Sequence, residues 1–182
     1  MKTAVFLDRD GVVNRYIKPV NKPEDLILFP WTASAIRRLN LDNYLIFIVT
    51  NQGGIELGYF TVQELDAVHN HLLSILQGEN AHIDRIVYCP HFQTKCSCRK
   101  PKPGLLLKLA AEFKLNLSAC WMVGDRRADI LAGQAAGCRT IKIETPGSSI
   151  LNGVSAEYHC SNLMEAVNYI SGVRARSLLP LK

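Results

Sequence analysis

The sequence predicts an α/β fold in which helices cover both faces of one parallel sheet. Five short segments are almost entirely apolar, as expected for strands buried on both faces. Helical patterns lie between them, and this alternation indicates a doubly wound parallel sheet. A length of 182 residues and a hydrophobic content of 48% suit a single domain that spans residues 1–182.

The predicted strands all bring polar residues to the same edge of this sheet. They span residues 4–8, 44–50, 85–88, 120–124 and 140–143. In such sheets, ligands bind beyond the carboxyl ends of the strands. Asp8, Thr50, Cys89 and Asp125 lie at or directly after four of these ends, so we expect one site at that edge.

The predicted helices span residues 32–40, 61–77, 102–113, 127–137 and 163–170. The second begins with TVQE, a capping box in which Thr61 caps the helix and Glu64 reaches back. Gly137 ends the fourth helix. A basic tail, VRARSLLPLK, is expected to follow the fifth.

The net charge and the lengths of the apolar runs limit what this protein is expected to bind. The formal net charge of +5 suits an enzyme for small phosphorylated anions as well as a nucleic-acid binder. We see no signal peptide, and no apolar run approaches the roughly 20 residues that span a bilayer. We therefore expect a cytoplasmic protein that does not bind membranes. We also expect a monomer that binds no nucleic acid, because the basic residues do not line one helix.

Carboxylates dominate the predicted site. Asp8 and Asp10 of DRDG lie two apart in an extended segment and can face one site, and Gly11 lets the backbone turn. Asp125 would bring a third carboxylate to the same edge, which favours a shared Mg²⁺ ion. Asp129 is as readily a helix-start or salt-bridge residue as a ligand.

Two further segments offer partners for a phosphoryl group. TNQGG supplies the Thr50 hydroxyl and backbone N–H groups, and CRKPKPG holds Arg99 and Lys100 extended before prolines. Each segment alone is also compatible with an ordinary turn. Together with the carboxylates they form a phosphoryl-transfer site.

In this order the motifs FLDRDGVVN, IVTNQ, RKPKPG and MVGDRRAD resemble those of the haloacid dehalogenase (HAD) superfamily of phosphatases, over about residues 4–145. The resemblance implies that Asp8 is the nucleophile, and that Asp10 is the acid and base. It implies that Thr50 and Lys100 stabilise the transferring group, and that Asp8, the Asp10 carbonyl and Asp125 hold Mg²⁺.

The segment CPHFQTKCSC adds a second metal. Cys89, His91, Cys96 and Cys98 are the four ligands of a closed structural zinc site, which would fix the loop that presents Arg99 and Lys100. Such a loop before CRKP resembles the small, capless histidinol-phosphate and heptose-bisphosphate phosphatases. TNQGGIELGYFT and the glycine of CRKPKPG resemble the D-glycero-D-manno-heptose 1,7-bisphosphate branch more closely.

That branch implies removal of the C7 phosphate to give heptose 1-phosphate for lipopolysaccharide-type surface polysaccharide. The substrate contacts that the resemblance implies are Arg9, Tyr16, Lys18, Asn51, Gln52, Gly53, Arg99 and Arg126. Arg126 stands where the family often has lysine, which keeps the charge and changes the geometry. The segment between His91 and Cys96 is also shorter than in some members, which bears on substrate and anomer preference.

Three alternatives remain at this point. A histidinol-phosphate phosphatase would perform the same chemistry on another alcohol. A zinc-containing nucleic-acid-binding module would fit the charge and the basic tail, although no aromatic platform accompanies the basic residues. An inactive relative would be expected to lack some catalytic residues, and here every position is filled.

Overall fold

The computed structural model describes residues 2–16, 19–93, 95–145 and 152–177. Within them, six parallel strands form one sheet in the order β3-β2-β1-β4-β5-β6. The strands are β1 (Ala4–Leu7), β2 (Leu45–Asn51), β3 (Arg85–Cys89), β4 (Trp121–Gly124), β5 (Arg139–Ile143) and β6 (Tyr158–Cys160). The predicted doubly wound α/β class is confirmed.

Among the described residues, four helices connect the strands from β1 to β5, and a fifth follows β6. They are α1 (Thr32–Leu41), α2 (Val62–Gly78), α3 (Gly104–Phe113), α4 (Arg127–Ala136) and α5 (Leu163–Ser177). The capping box of α2 is present, with the Thr61 hydroxyl accepting from the Glu64 amide at 3.2 Å. Gly137 ends α4 in the left-handed conformation at φ +83°.

Two elements differ from the sequence prediction. The sixth strand, Tyr158–Cys160, was missed because three residues with an exposed histidine at the centre carry no strand pattern. Helix α5 continues to Ser177 instead of ending at residue 170, and Val173 packs against the core in this extra length. Part of the predicted basic tail is therefore helical, and residues 178–182 lie outside the described residues.

Each face of the sheet has its own apolar core. One face packs against α1, α2 and α5, and the other packs against α3 and α4. Alternate residues of β1 divide between them: Val5 and Leu7 face the first core, whereas Ala4 and Phe6 face the second. Burial on both faces explains why the strands are continuously apolar.

The strand order reverses between β1 and β4, because successive strands are added on opposite sides of this pair. Ligands bind at such a reversal, beyond the carboxyl ends of the strands. Asp8 follows β1 and Asp125 follows β4, so both aspartates lie at this point. Among the described residues, no helix is long and apolar enough to cross a membrane.

Candidate active site

A cleft of about 610 Å³ opens at the reversal point of the sheet. Its lining includes every sequence-predicted catalytic and substrate-binding residue that the structure describes. These are Asp8, Arg9, Asp10, Tyr16, Thr50, Asn51, Gln52, Gly53, Arg99, Lys100 and Arg126. Lys18 lies outside the described residues.

Three buried carboxylates meet at the base of the cleft. Asp8, Asp125 and Asp129 each offer an oxygen, and these atoms all lie within 4.8 Å of one another. Burial, together with the neighbouring acids, raises the pKa of Asp8 to about 7 and that of Asp125 to about 6. Asp125 Oδ1 is buried and has no hydrogen-bond partner among the described residues. A hard divalent cation such as Mg²⁺ fits this donor set, because it would offset the repulsion and satisfy that oxygen.

Gly11 allows the chain to turn closely around this cluster. Its φ of +90° lies in the left-handed region, and a Cβ at this position would lie 2.5 Å from Asp125 Oδ2. Any side chain at residue 11 would therefore meet a candidate metal ligand.

The Lys100 ammonium lies between two of the carboxylates and is almost fully buried. Its Nζ donates to Asp8 Oδ1 at 2.7 Å and to the Val49 carbonyl at 2.7 Å, and it lies 2.6 Å from Asp129 Oδ1. Burial alone would lower the pKa of Lys100, but the charges of Asp129 and Asp8 outweigh it and raise the pKa. The lysine is therefore fully charged beside the candidate nucleophile.

Asp129 makes both a salt bridge and a helix-start contact in the structure. Besides pairing with Lys100, its Oδ2 accepts from the Arg126 amide at 2.9 Å at the start of α4. Its carboxylate is also close enough to Asp8 and Asp125 to belong to the same acidic cluster.

Asp10 is held by several donors. Arg9 donates through Nε to Oδ1 at 3.2 Å and through Nη2 to Oδ2 at 2.9 Å. Asn14 donates to Oδ1 at 3.0 Å, and Gln52 donates to Oδ2 at 3.1 Å. Burial raises the pKa of Asp10, but the Arg9 charge and these hydrogen bonds outweigh it, so the pKa is lowered. Gln52 also donates to the Thr50 hydroxyl at 2.8 Å, so its side chain connects Asp10 with Thr50.

Two predicted substrate contacts have protein partners in this structure. The Arg9 side chain is 1% exposed and is committed to Asp10 and to a buried histidine on α2. Asn51 donates to the Lys100 carbonyl at 3.0 Å and accepts from the Lys100 amide at 3.1 Å. Both residues therefore hold catalytic candidates in place, and both also line the cleft.

The zinc-type cluster is assembled as the sequence predicts. Cys98 Sγ lies 3.2 Å from Cys89 Sγ and 3.3 Å from His91 Nδ1, and the Cys89 and Cys96 sulfurs are 3.7 Å apart. A tetrahedral zinc ion with Zn–S bonds of about 2.3 Å has sulfurs about 3.7 Å apart. Three thiols and an imidazole around one point therefore fit a closed zinc site.

The zinc-type loop packs tightly against the loop that follows β2. The Gln52 backbone N–H donates to the Cys89 carbonyl at 2.7 Å, and the Glu56 carboxylate accepts from the Gln93 backbone N–H at 2.9 Å. A Cβ on Gly53 would lie 3.0 Å from the Phe92 Cα, so residue 53 is a packing position. These contacts fix the mouth of the cleft.

Three other predicted substrate contacts lie at the mouth of the cleft and keep part of their surface exposed: Tyr16, Arg99 and Arg126. Tyr16 is half-exposed, and the Arg126 guanidinium lies 6.0 Å from its ring. Arg126 Nε also lies 3.4 Å from Asp125 Oδ2. Arg99 donates to the His91 carbonyl at 2.7 Å and stacks over Phe92 at 5.7 Å.

Sequence reasoning missed three residues that shape the site. Asn14 lies within the FLDRDGVVN motif but was given no role, and Glu56 carries no local signal. His69 occupies an inward position of α2, beside Leu65, Val68 and Leu72. A polar residue on an apolar helix face was the signal that could have identified it.

Comparisons with known proteins agree with this geometry. Residues 97–156 match the family described as HAD-hydrolase-like. A Rhodopseudomonas palustris protein named D-glycero-beta-D-manno-heptose-1,7-bisphosphate 7-phosphatase is 36% identical over 151 residues, covering 79% of this chain and 84% of that protein. A Campylobacter jejuni protein named D-glycero-alpha-D-manno-heptose-1,7-bisphosphate 7-phosphatase is 40% identical over 142 residues, covering 78% and 82%.

Among solved structures, D,D-heptose 1,7-bisphosphate phosphatase from B. bronchiseptica, complexed with magnesium and phosphate, superposes with a TM-score of 0.87. It is 31% identical, and the match covers 95% of this chain and 99% of that one. Fold and site together therefore define a hydrolase of the HAD class. Within that class, the chain belongs to the heptose-1,7-bisphosphate 7-phosphatase family.

Proposed function

We propose that this protein is a Mg²⁺-dependent phosphatase that removes the C7 phosphate of D-glycero-D-manno-heptose 1,7-bisphosphate and leaves heptose 1-phosphate. The observation that carries the proposal is the buried Asp8 carboxylate, 2.7 Å from the Lys100 ammonium and grouped with Asp125 and Asp129. The relatives named above supply the substrate, because their names specify the heptose bisphosphate and the position attacked.

In the first step, an Asp8 oxygen forms a bond to the C7 phosphorus while the bond from phosphorus to the sugar oxygen breaks. Asp10 gives its proton to that departing oxygen, which leaves as the C7 hydroxyl. Lys100 and the Thr50 hydroxyl stabilise the negative charge on the phosphoryl oxygens. A bound magnesium ion would supply further charge neutralisation, held by Asp8, Asp125 and the Asp10 carbonyl.

In the second step, Asp10 takes a proton from water, and the water oxygen attacks the phosphorus of the aspartyl-phosphate. The bond from phosphorus to the Asp8 oxygen breaks, so inorganic phosphate leaves, the Asp8 carboxylate is freed and the proton from water stays on Asp10. Arg9 holds Asp10 ionised in the free protein, which suits this base role. A bound phosphate dianion would raise the pKa of Asp10 again, because like charges disfavour ionisation, and so would prepare the acid for the next turnover.

The zinc-type cluster has a structural role in this proposal. Its closed donor set leaves no open position for water, and reduced thiols of this kind suit the cytoplasm. We propose that Zn²⁺ holds the loop that carries Arg99, Arg126 lines the opposite side of the mouth, and the substrate reaches the cleft between them.

The test is a turnover panel with Mg²⁺, in which phosphate release is measured from both anomers of the heptose bisphosphate and from histidinol phosphate. Phosphorus NMR of the product should show the C1 phosphate retained. The Asp8→Asn variant should release no phosphate and form no covalent intermediate. Faster turnover of histidinol phosphate would reject the heptose assignment, and salt-sensitive oligonucleotide binding without hydrolysis would reject the enzyme.

A further inference from the structure

A buried histidine stands behind the general acid, with one residue between them. Arg9 uses Nε and Nη2 to hold the two Asp10 oxygens, and its remaining Nη1 lies 3.3 Å from His69 Nε2. Arg9 is 1% exposed and His69 is 6% exposed. The three side chains therefore form a chain of hydrogen bonds that runs from the cleft to helix α2.

The direction of the hydrogen bond to His69 follows from the chemistry of its partner. A guanidinium has only donors, so His69 Nε2 must be the acceptor and must carry no proton. Burial and the Arg9 charge lower the pKa of His69 to about 4, which keeps the imidazole neutral at physiological pH. The neutral imidazole accepts a hydrogen bond from Arg9 Nη1, and it carries no charge that would weaken the ion pair between Arg9 and Asp10.

Helix α2 gives His69 a fixed position. The residue lies on the inward face of the helix between Val68 and Leu72, both fully buried, and its ring centroid is 5.9 Å from that of Tyr88. Arg9, in contrast, belongs to the loop after β1, where the backbone turns at Gly11. An anchor on a regular helix can therefore restrain a side chain that comes from a loop.

We propose that His69 is a positioning residue for the phosphatase reaction: by accepting a hydrogen bond from Arg9, it fixes the guanidinium that aligns Asp10 with the leaving oxygen. This inference rests on the proposed function only for the role of Asp10 as general acid. It assigns His69 no contact with the substrate, and His69 does not line the cleft.

A comparison of two kinds of substrate distinguishes a positioning role of His69 from a role in protein stability alone. A sugar phosphate needs its departing oxygen protonated, whereas p-nitrophenyl phosphate releases a stable phenolate and needs little help from an acid. The value of kcat/KM reports the steps up to release of the leaving group. A misaligned Asp10 should therefore lower kcat/KM for the sugar phosphate selectively.

The experiment compares His69→Gln with His69→Leu and His69→Asn. The glutamine oxygen can reach the place of Nε2, the leucine offers no acceptor, and the asparagine is too short to reach Arg9. We expect His69→Leu and His69→Asn to lose roughly 10-fold or more in kcat/KM for the sugar phosphate, a part of the 10²–10⁴ typical of acid–base catalysis. Their loss with p-nitrophenyl phosphate should stay within about 3-fold, and His69→Gln should recover most of the loss.

Leu72→Ala is the matched control, because it weakens the same helix face without touching Arg9. It should lower the melting temperature but leave the ratio of the two kcat/KM values unchanged. In an Arg9→Lys background, which lacks the Nη1 donor, His69→Leu should add no further selective loss. The asparagine and glutamine variants decide the matter even if the leucine variant fails to fold.

Equal losses on both substrates in His69→Asn, or the same selective loss in Leu72→Ala, would overturn the positioning role. A wild-type protein that hydrolyses p-nitrophenyl phosphate but no sugar phosphate would instead reject the proposed function. In that case the His69 comparison would be repeated with whichever alkyl phosphate the wild type hydrolyses, and the same ratio would decide it.

Discussion

Replacing Lys100 with methionine tests the electrostatic design of the site most directly. The change keeps a long apolar stem and removes an ammonium that makes three contacts of 2.6–2.7 Å, two of them to carboxylates. Asp8 and Asp129 would remain buried without their common cation. Loss of one partner from a buried ion pair typically costs about 3–5 kcal/mol of unfolding free energy.

The loss of unfolding free energy in Lys100→Met should depend on pH and on Mg²⁺. The pKa of Asp8 is already raised to about 7, and without the lysine it rises further, so the folded variant holds protons that the unfolded chain releases. The free energy of unfolding of Lys100→Met should therefore fall as pH rises from about 5 to about 8. Added Mg²⁺ should restore part of it, because a cation returns to the acidic cluster.

Catalysis should fall by more than stability explains. Removing one preorganised charge from a developing oxyanion costs about 10²–10³ in rate, and Lys100 is the buried cation beside Asp8. Urea unfolding gives the stability, and rapid-quench measurement of the phosphorylated protein gives the rate of the first step. Lys108→Met, which removes an exposed lysine from α3, should change neither measurement appreciably.

A Lys100→Met variant that forms the phosphorylated intermediate within a few-fold of the wild-type rate would refute this account of the site. A variant equally destabilised at every pH would refute the electrostatic part alone, since it would mean that the lysine contributes mainly through packing.

Three further predictions concern the two metal sites and the turn at Gly11 beside the acidic cluster. Chelating the metal at the cysteine cluster, or changing Cys96 to serine, should lower the melting temperature by roughly 5–10 °C. This shift corresponds to about 2–3 kcal/mol of unfolding free energy for a chain of this size. An unchanged melting temperature with full activity would contradict a structural zinc. The rise in melting temperature caused by Mg²⁺ should be larger at about pH 8 than at about pH 5. The reason is that Asp8 and Asp125 must ionise to bind the ion, and their pKa values are raised to about 7 and about 6. An equal rise at both pH values would count against these ligands. Gly11→Ala should cost about 1–3 kcal/mol by urea unfolding and abolish Mg²⁺-dependent turnover, since its Cβ would meet Asp125; Gly78→Ala, with open space around it, is the control and should be neutral or stabilising.

Much of the architecture could be predicted because its signals are local. Continuous apolar strands ending in Asp8 and Asp125 fixed the parallel sheet and the edge where the site lies. The spacing of Cys89 to Cys98 identified the metal cluster, since few other arrangements need four such ligands within ten residues. These features depend on residue type and short-range spacing alone.

The remaining parts depend on contacts between distant segments. Nothing near Arg9 in sequence indicates that it meets His69, 60 residues away. The partnership of Lys100 with Asp129 likewise requires the loop after β3 to reach the start of α4. The short strand at Tyr158–Cys160 is defined by its pairing with β5 and not by its own composition.

The two hydrogen bonds between Asn51 and the Lys100 backbone have an evolutionary consequence. They attach the lysine to the end of β2 independently of the zinc-type loop that precedes it. A change at Phe92, which lines the cleft, is therefore expected to leave the ammonium in place. Selection can therefore alter the mouth of the cleft at Phe92 while the phosphoryl-transfer machinery is inherited intact.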